Sequence, residues 1–245
     1  MFIKIKDINI NYVQYGKGKD VILLHGWGQN IDMMTPIGNR LKNKYRITII
    51  DLPGFGQSEE PTFSWTIYDY YDMLCELIEH LKIKRPTIVG HSFGGRIGII
   101  YAAYKDIDKL VLLAAPFEKT VVNMSILVRM FRWLKKVPII NKLEHVVKKY
   151  IGSKDYRLAS NIMRQILVNT INEDLTECVK KIECPTLLIW GSNDTVVSLE
   201  SAKRLEALIK DSGLIVYEGL SHYAYLENID QTVAILNNFL SNKKE

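Results

Sequence analysis

The sequence has few cysteines, no long apolar run and no uncharged apolar stretch at its N-terminus. Each of these absences argues against a class of protein. Cys75, Cys178 and Cys184 are an odd set without metal-ligand spacing, which indicates reduced thiols rather than a disulfide framework. No apolar stretch approaches the ~18 residues of a membrane span, and Lys4 and Lys6 come too early for a secretory leader. We therefore expect a cytoplasmic protein without a membrane span.

Cofactor-binding motifs are also missing from the sequence. The glycine-rich stretch Leu52–Ser58 is too short for a phosphate cradle and lacks the lysine of a P-loop. No motif supports a metal site or a nicotinamide site. We therefore expect no cofactor, no metal and no nucleic-acid partner.

Positive charge is concentrated in one part of the chain. The 245 residues carry a net charge of +5, while residues 118–183 contain 13 lysines and arginines against 7 acidic residues. The simpler interpretation is a set of solvated helix faces. The alternative is a surface that attracts an anionic substrate or an acidic partner.

Short buried strands alternate with helices along most of the chain. Phe2–Ile5 and Ile8–Tyr15 alternate apolar and polar residues, as expected for an antiparallel hairpin at a sheet edge. Further patterns predict strands at Val21–Leu24, Tyr45–Asp51, Arg85–Gly90, Leu110–Ala115, Pro185–Trp190 and Leu214–Tyr217, and helices at Thr66–Leu81, Arg96–Lys105, Ser198–Lys210 and Asn228–Leu240. This order indicates an α/β fold with a mostly parallel central sheet and helices on both faces.

The alternation stops between residues 117 and 184, where only helical patterns occur. The first of these helices is apolar over about two thirds of its circumference, so it must be covered on more than one side. We expect residues 117–184 to form a helical cap, or lid, inserted into a catalytic core of residues 1–116 and 185–245. Apolar residues that suggest an adaptable acyl pocket, or equally lid packing, are Met33, Met34, Met124, Met130, Phe131 and Trp133.

The stretch Gly90-His91-Ser92-Phe93-Gly94 carries the strongest chemical signal. It stands between a predicted strand and a predicted helix, which is the context that a nucleophile elbow requires. Such a turn holds its serine in a sparsely populated backbone region, and the crowding around it favours glycine two residues before and two after. We therefore expect Ser92 to be a nucleophile.

A serine hydroxyl needs a base within hydrogen-bond reach and an acid that orients the base. His222 lies in the loop between the last strand and the last helix, and we expect it to be the general base. Asp194 follows the strand ending at Trp190 and is the expected acid, with Glu118 as its rival after the preceding strand. Asp51 also ends a strand, but its loop precedes the nucleophile, which favours a structural role.

Two backbone N–H groups are candidates for an oxyanion hole, those of Phe93 and Trp27. Trp27 lies in the loop His25-Gly26-Trp27-Gly28, and its indole is alternatively a lid contact. The candidate substrate contacts are His25, Met130, Trp133 and Tyr223.

Four separated motifs resemble those of the α/β-hydrolase superfamily over residues 20 to 240: His25–Gly28, Asp51–Ser58, Gly90–Gly95, and Asp194 with His222. The resemblance implies the fold and a Ser-Asp-His triad. More closely, His25–Gly28 followed by Asn30, and Asp51–Gly56, resemble the biotin-pathway esterases that cleave the methyl ester of pimeloyl-carrier protein. A basic lid would suit an acidic carrier protein there. The elbow departs from that family, which usually has tryptophan where His91 stands.

The leading hypothesis is a serine hydrolase that cleaves carboxylic esters of small to medium acyl groups. A second hypothesis keeps the triad for carbon–carbon bond hydrolysis or for the lyase of menaquinone synthesis, whose elbow resembles Ser92–Arg96. Arg96 would then face an anionic substrate, whereas its simpler role is a helix-surface or structural ion pair. A third hypothesis is a ligand receptor or signalling protein that retains the triad. The acyl and alcohol groups and the oligomeric state stay open.

Overall fold

An eight-stranded sheet organises residues 1–119 and 159–241, the part of the protein that the computed structural model describes. Strands β1 to β8 span Phe2–Ile5, Ile8–Gly16, Lys19–Leu24, Tyr45–Ile50, Thr87–His91, Lys109–Leu113, Thr186–Gly191 and Ser212–Tyr217. Their order across the sheet is β1-β2-β4-β3-β5-β6-β7-β8. Strand β2 is antiparallel to β1 and β4, and the other neighbours are parallel. The predicted hairpin and mostly parallel sheet are confirmed.

Helices cover both faces of the sheet. In the described residues they are α1 Ile31–Leu41, α2 Ile67–His80, α3 Phe93–Tyr104, α4 Asn161–Asn172, α5 Thr176–Val179, α6 Leu199–Leu208, α7 Ala224–Glu227 and α8 Ile229–Ser241. Along β3, Val21 and Leu23 pack in a cluster with α1 and α8, whereas Ile22 and Leu24 pack in a second cluster with α2 and α3. Both faces are buried, which is why the parallel strands are continuously apolar. None of the described helices is long and apolar enough to cross a membrane.

Helix α1 was not among the predicted elements, and its interior contains Pro36. It begins nevertheless at Asn30, whose side chain accepts a hydrogen bond from the Asp32 backbone N–H. Its apolar side packs under the sheet, with Met34 fully buried. Met34 is therefore a core residue, which corrects its assignment to an acyl pocket.

The predicted cap at 117–184 falls mostly outside the described residues, and so do the candidate substrate contacts Met130 and Trp133. The described part, residues 159–184, contains α4 and α5. A backbone hydrogen bond of 2.8 Å from Leu175 N–H to Phe117 O joins this part to the segment after β6. The domain boundaries at 116 and 185 stay a prediction.

Candidate active site

Ser92 occupies the turn between β5 and α3, in a conformation that few residues adopt. Its φ of 49° and ψ of −109° lie in the strained region expected for a nucleophile elbow. A Cβ atom built on Gly90 would approach Gly94 O and Gly95 Cα to 2.6 Å, and one built on Gly94 would approach Leu24 O to 2.5 Å. The turn can therefore close only because these positions lack a side chain.

Asp194 and His222 form a buried pair in the loops after β7 and β8. The His222 Nδ1 atom lies 2.8 Å from Asp194 Oδ2, and the carboxylate side chain is completely buried. Its other oxygen accepts hydrogen bonds of 2.8 Å and 2.9 Å from the backbone N–H groups of Val196 and Val197. Because a carboxylate only accepts, Nδ1 carries the proton and Nε2 is left as a proton acceptor.

Ser92 and His222 line the same cavity, which has a volume of about 390 Å³. Parallel strands bring them together, since both follow the carboxyl ends of strands in one sheet. The wall is largely apolar and consists of Gly26, Trp27, Gln29, His91, Phe93, Arg96, Pro116, Leu167, Thr170, Ile171, Val196, Val197 and Tyr223. Such a volume and polarity are typical of small-molecule sites.

The two candidate oxyanion donors border this cavity, Trp27 from the loop after β3 and Phe93 from the start of α3. Phe93 is the first residue of α3, so its N–H is one of the first-turn N–H groups that have no acceptor within the helix. The rings of Trp27 and Phe93 meet edge to face at 5.3 Å, and Phe55 packs against both. These aromatic contacts fix the loop that holds the Trp27 N–H.

His25 lies behind this loop rather than in the described cavity wall. It is fully buried, its Nδ1 bonds Gly26 O at 2.7 Å, and its Nε2 accepts the Leu52 N–H at 3.0 Å. Burial lowers the pKa of His25 to about 4, so the ring is neutral. The structure thus gives His25 a contact that positions this loop, while Tyr223 lines the cavity and is 40% exposed. Substrate contacts of the two residues stay predictions.

His91 contacts the candidate base, which the sequence analysis missed. Its Nε2 lies 3.2 Å from the His222 backbone oxygen, and the two rings are 4.9 Å apart. Its Nδ1 lies 3.2 Å from Gln29 Oε1, the oxygen that also accepts the Gly26 N–H at 3.0 Å. A Cβ atom on Gly26 would come within 2.8 Å of His91 Nδ1, so glycine is needed there. His91 therefore links the loop after β3, which holds Trp27, to the loop after β8, which holds His222.

Because the imidazoles of His25 and His91 are buried, we expect the protein to lose stability in mild acid. Burial lowers the pKa of His91 to about 3, as it lowers that of His25 to about 4. In the unfolded chain both groups titrate near 6.5, so below that pH the unfolded state binds more protons and the free energy of unfolding falls. The slope is about 1.4 kcal/mol per pH unit for each imidazole, which gives a loss of roughly 2–4 kcal/mol between pH 7 and pH 5.

Urea unfolding at a series of pH values measures this loss. The His91→Gln variant removes one of the two groups, so its free energy of unfolding should fall about half as steeply with pH. Equal slopes for the variant and the wild type would contradict the assignment.

Glu118, the rival acid, and Asp51 form hydrogen bonds with residues other than His222. Glu118 accepts two hydrogen bonds from Arg204, 2.8 Å and 2.5 Å long, and this pairing holds the pKa of the Glu118 carboxyl below its usual range. Asp51 accepts from Asn11 Nδ2, and from backbone N–H groups of Ile31 and Gln57. Asp51 therefore joins strand β2, the start of α1 and the loop after β4, in agreement with the structural role predicted for it.

Comparison with known proteins decides the family. A family model described as the alpha/beta hydrolase fold matches residues 20–145, just over half of the 245-residue chain. The chain belongs to the α/β-hydrolase family. The fold and the resemblance predicted from the four motifs are confirmed, and the chain is a hydrolase of this family.

Relatives of this α/β hydrolase include an esterase. The AB hydrolase superfamily protein YisY of Bacillus subtilis (strain 168) is 28% identical over 250 residues, which cover 91% of this chain and 92% of YisY. The pimeloyl-[acyl-carrier protein] methyl ester esterase of Aliivibrio salmonicida (strain LFI1238) is 24% identical, with coverage of 94% and 95%. The enol-lactonase from Burkholderia xenovorans LB400 shares the fold, with a TM-score of 0.79, 21% identity and coverage of 99% and 100%.

In residues 1–119 and 159–241, no cluster of three or more histidine, cysteine and acidic side chains has the arrangement of a metal site. The polar groups that the described residues contribute to the cavity are a serine, histidines, a glutamine, a threonine, a tyrosine and Arg96.

Proposed function

We propose that this α/β hydrolase cleaves carboxylic esters through an acyl-enzyme at Ser92. The observation that carries the proposal is the buried Asp194–His222 pair, whose imidazole borders the cavity of the strained Ser92 elbow. A serine in such a turn that shares a cavity with an oriented histidine is consistent with acyl transfer. The esterase among the relatives supports the same class of reaction.

The reaction follows from the atoms that face the cavity. His222 Nε2 takes the Ser92 hydroxyl proton while Oγ attacks the ester carbonyl, and Asp194 stabilises the resulting imidazolium. The N–H groups of Phe93 and Trp27 stabilise the negative oxygen of the tetrahedral intermediate. The alcohol leaves with the proton from His222, and water then hydrolyses the acyl-enzyme by the same steps.

The cavity favours a small to medium acyl group. Its volume of about 390 Å³ is at the lower end of small-molecule sites. Apolar contacts come from Leu167, Ile171 and Val196, and Tyr223 stands at the edge beside His222. An acidic carrier protein bound at the basic lid stays a prediction, because most of that lid lies outside the described residues.

A series of p-nitrophenyl esters from acetate to palmitate tests the proposal. Rapid mixing should release about one nitrophenol per active site in a burst, followed by a slower steady state, because deacylation follows acylation. We expect kcat/KM to be highest between acetate and hexanoate and at least about tenfold lower for palmitate.

The other outcomes identify the alternative functions. A single turnover without a steady state, combined with thermal stabilisation by ligand, would overturn the proposal in favour of a receptor. Absence of ester cleavage, with turnover of a carbon–carbon or lyase substrate, would overturn it in favour of a different reaction at the same triad.

A further inference from the structure

Six loops lead into the amino ends of strands β3 to β8, at the edge of the sheet opposite Ser92. We call their surface the amino face, and the loops are residues 17–18, 42–44, 81–86, 105–108, 180–185 and 209–211. They contain ten lysines and arginines against four acidic residues, a charge of +6, while the rest of the chain contains 22 against 23. The amino face therefore holds the whole positive surplus of the protein.

All ten cations of the amino face are exposed, and most of them have no acidic partner. Arg85 pairs with Asp106 at 3.1 Å, and Lys180 pairs with Glu177 at 2.6 Å. Among the described residues, no ion pair involves the other eight, which are Lys17, Lys42, Lys44, Lys82, Lys84, Lys105, Lys181 and Lys210. Neighbouring strands lie about 4.8 Å apart, which is within the Debye length of about 8–10 Å, so the potentials of these loops add.

The amino face offers charge without the features that a macromolecule of defined shape would bind. None of its apolar side chains is exposed, and Ile83, Ile107 and Ile182 are buried, so it lacks the apolar anchors of a protein–protein interface. Its one arginine is paired, and Lys181 Nζ lies 4.8 Å from the centroid of the adjoining Tyr104 ring. A nucleic acid would therefore find neither a free guanidinium fork nor an open stacking surface. A layer of lipid phosphates needs neither, because it attracts lysines through charge alone.

A groove opens on the amino face between the end of α3 and the loop before β7. Its volume is about 790 Å³, and its wall carries Arg85, Lys105, Lys180 and Lys181 against Asp106 and Glu183. A cavity of this size admits a small polar molecule, so the headgroup of an anionic lipid fits between these cations.

We propose that the amino face docks this hydrolase on the surface of an anionic lipid bilayer. Lysines at the edge of a folded domain bind such a surface through the summed attraction of their charges. Strand β5 separates the face from the Ser92 elbow, because Thr87 begins the strand on this face and Ser92 follows its other end, about 16 Å away. A docked molecule therefore turns the Ser92 cavity toward the aqueous side and takes substrate from solution. The inference does not depend on the ester hydrolysis proposed above.

Co-sedimentation of the full chain with lipid vesicles tests the docking. At about 0.1 M salt we expect binding to phosphatidylcholine vesicles that contain about one third phosphatidylglycerol, and none to vesicles of phosphatidylcholine alone. Raising the salt to about 0.5 M shortens the Debye length to about 4 Å and should release the protein.

The triple variant Lys17→Gln, Lys44→Gln and Lys84→Gln tests the amino face itself. Each lysine near an anionic surface contributes roughly fivefold to the binding constant, so the triple variant should bind at least about tenfold more weakly. The three side chains are exposed and unpaired, so the variant should keep the wild-type Tm.

A second triple variant makes the same change in net charge away from the amino face. It combines Lys4→Gln and Lys6→Gln in the β1–β2 hairpin with Lys203→Gln on α6, and it should bind within about threefold of the wild type. Vesicle-bound wild type should hydrolyse p-nitrophenyl butyrate as fast as the free protein, because its cavity faces the solution.

Four results would overturn the inference. They are absence of binding to the anionic vesicles at low salt, wild-type binding by the first triple variant, an equal loss in both triple variants, and binding of a single-stranded RNA in place of the vesicles. Loss of the butyrate rate on vesicles would overturn the orientation. If the lysine-dependent binding is found but neither free nor bound protein cleaves the ester, ester hydrolysis fails and the docking surface stands.

Discussion

Ester hydrolysis by the Ser92→Ala variant is expected to fall by about 10⁴- to 10⁶-fold in kcat. Alanine lacks the Oγ atom that forms the acyl-enzyme, so only substrate binding and the oxyanion donors would still accelerate attack by water. Initial rates with p-nitrophenyl butyrate, corrected for buffer hydrolysis, measure the loss. The burst of nitrophenol should disappear with it, since no covalent intermediate can form.

A serine far from the cavity provides the control for this loss. Ser241 ends α8, where its hydroxyl donates to Asn238 O, and Ser241→Ala should keep wild-type rates. The Tm of each variant shows that the fold is retained. Turnover of Ser92→Ala above one tenth of the wild-type value would remove Ser92 from the proposed mechanism.

The Asp194→Asn variant should lose about 10⁴-fold in kcat near neutral pH while it stays folded. An asparagine oxygen can still accept the N–H groups of Val196 and Val197. Its NH₂ group would then face His222 Nδ1, which in the wild type lies 2.8 Å from a carboxylate oxygen. A donor there favours the tautomer with the proton on Nε2, and that nitrogen can no longer accept the proton of Ser92.

Glu118→Gln is the matched control, because Glu118 was the rival acid and also follows a strand. Its carboxylate pairs with Arg204, so the variant should keep turnover within about threefold of the wild type and lose only stability. The same kinetic assay and a thermal melt, run on both variants, check the assignment. A large kinetic loss in Glu118→Gln together with an active Asp194→Asn would reverse the two roles.

The predicted elements that match the structure share one property, which is a local pattern of apolar residues. The strands and the helices α2, α3, α6 and α8 were predicted from such patterns, alternating at the sheet edge and continuous inside it, and differ from the structure by a few residues at their ends. Helix α1 was missed because Pro36 and Gly38 interrupt its interior. Packing of Met34, Ile37 and Leu41 under the sheet stabilises it despite those residues, and that packing is tertiary.

In the candidate site too, features that depend on adjacent residues were predictable and contacts between distant residues were not. The elbow around Ser92 was predictable because its strain and its crowding involve residues adjacent in the chain. The contact between His91 and the His222 backbone joins residues 131 positions apart, and no local pattern indicates it. His25 was assigned to substrate because its loop was correctly placed, whereas the direction of its ring depends on the Leu52 N–H, in another loop.

The sequence by itself determined the order of the strands and of most helices, the position of the elbow at Ser92 and the short set of residues from which the partners of a nucleophile at that position would come. These features depend on backbone conformation and on hydrophobic period, which neighbouring residues specify. Only the tertiary structure decided that Asp194 rather than Glu118 bonds His222, and that Arg96 lies buried in the cavity wall instead of on the helix surface. Such contacts depend on how the crossovers place distant loops at one edge of the sheet, and no local property of the chain encodes that distance.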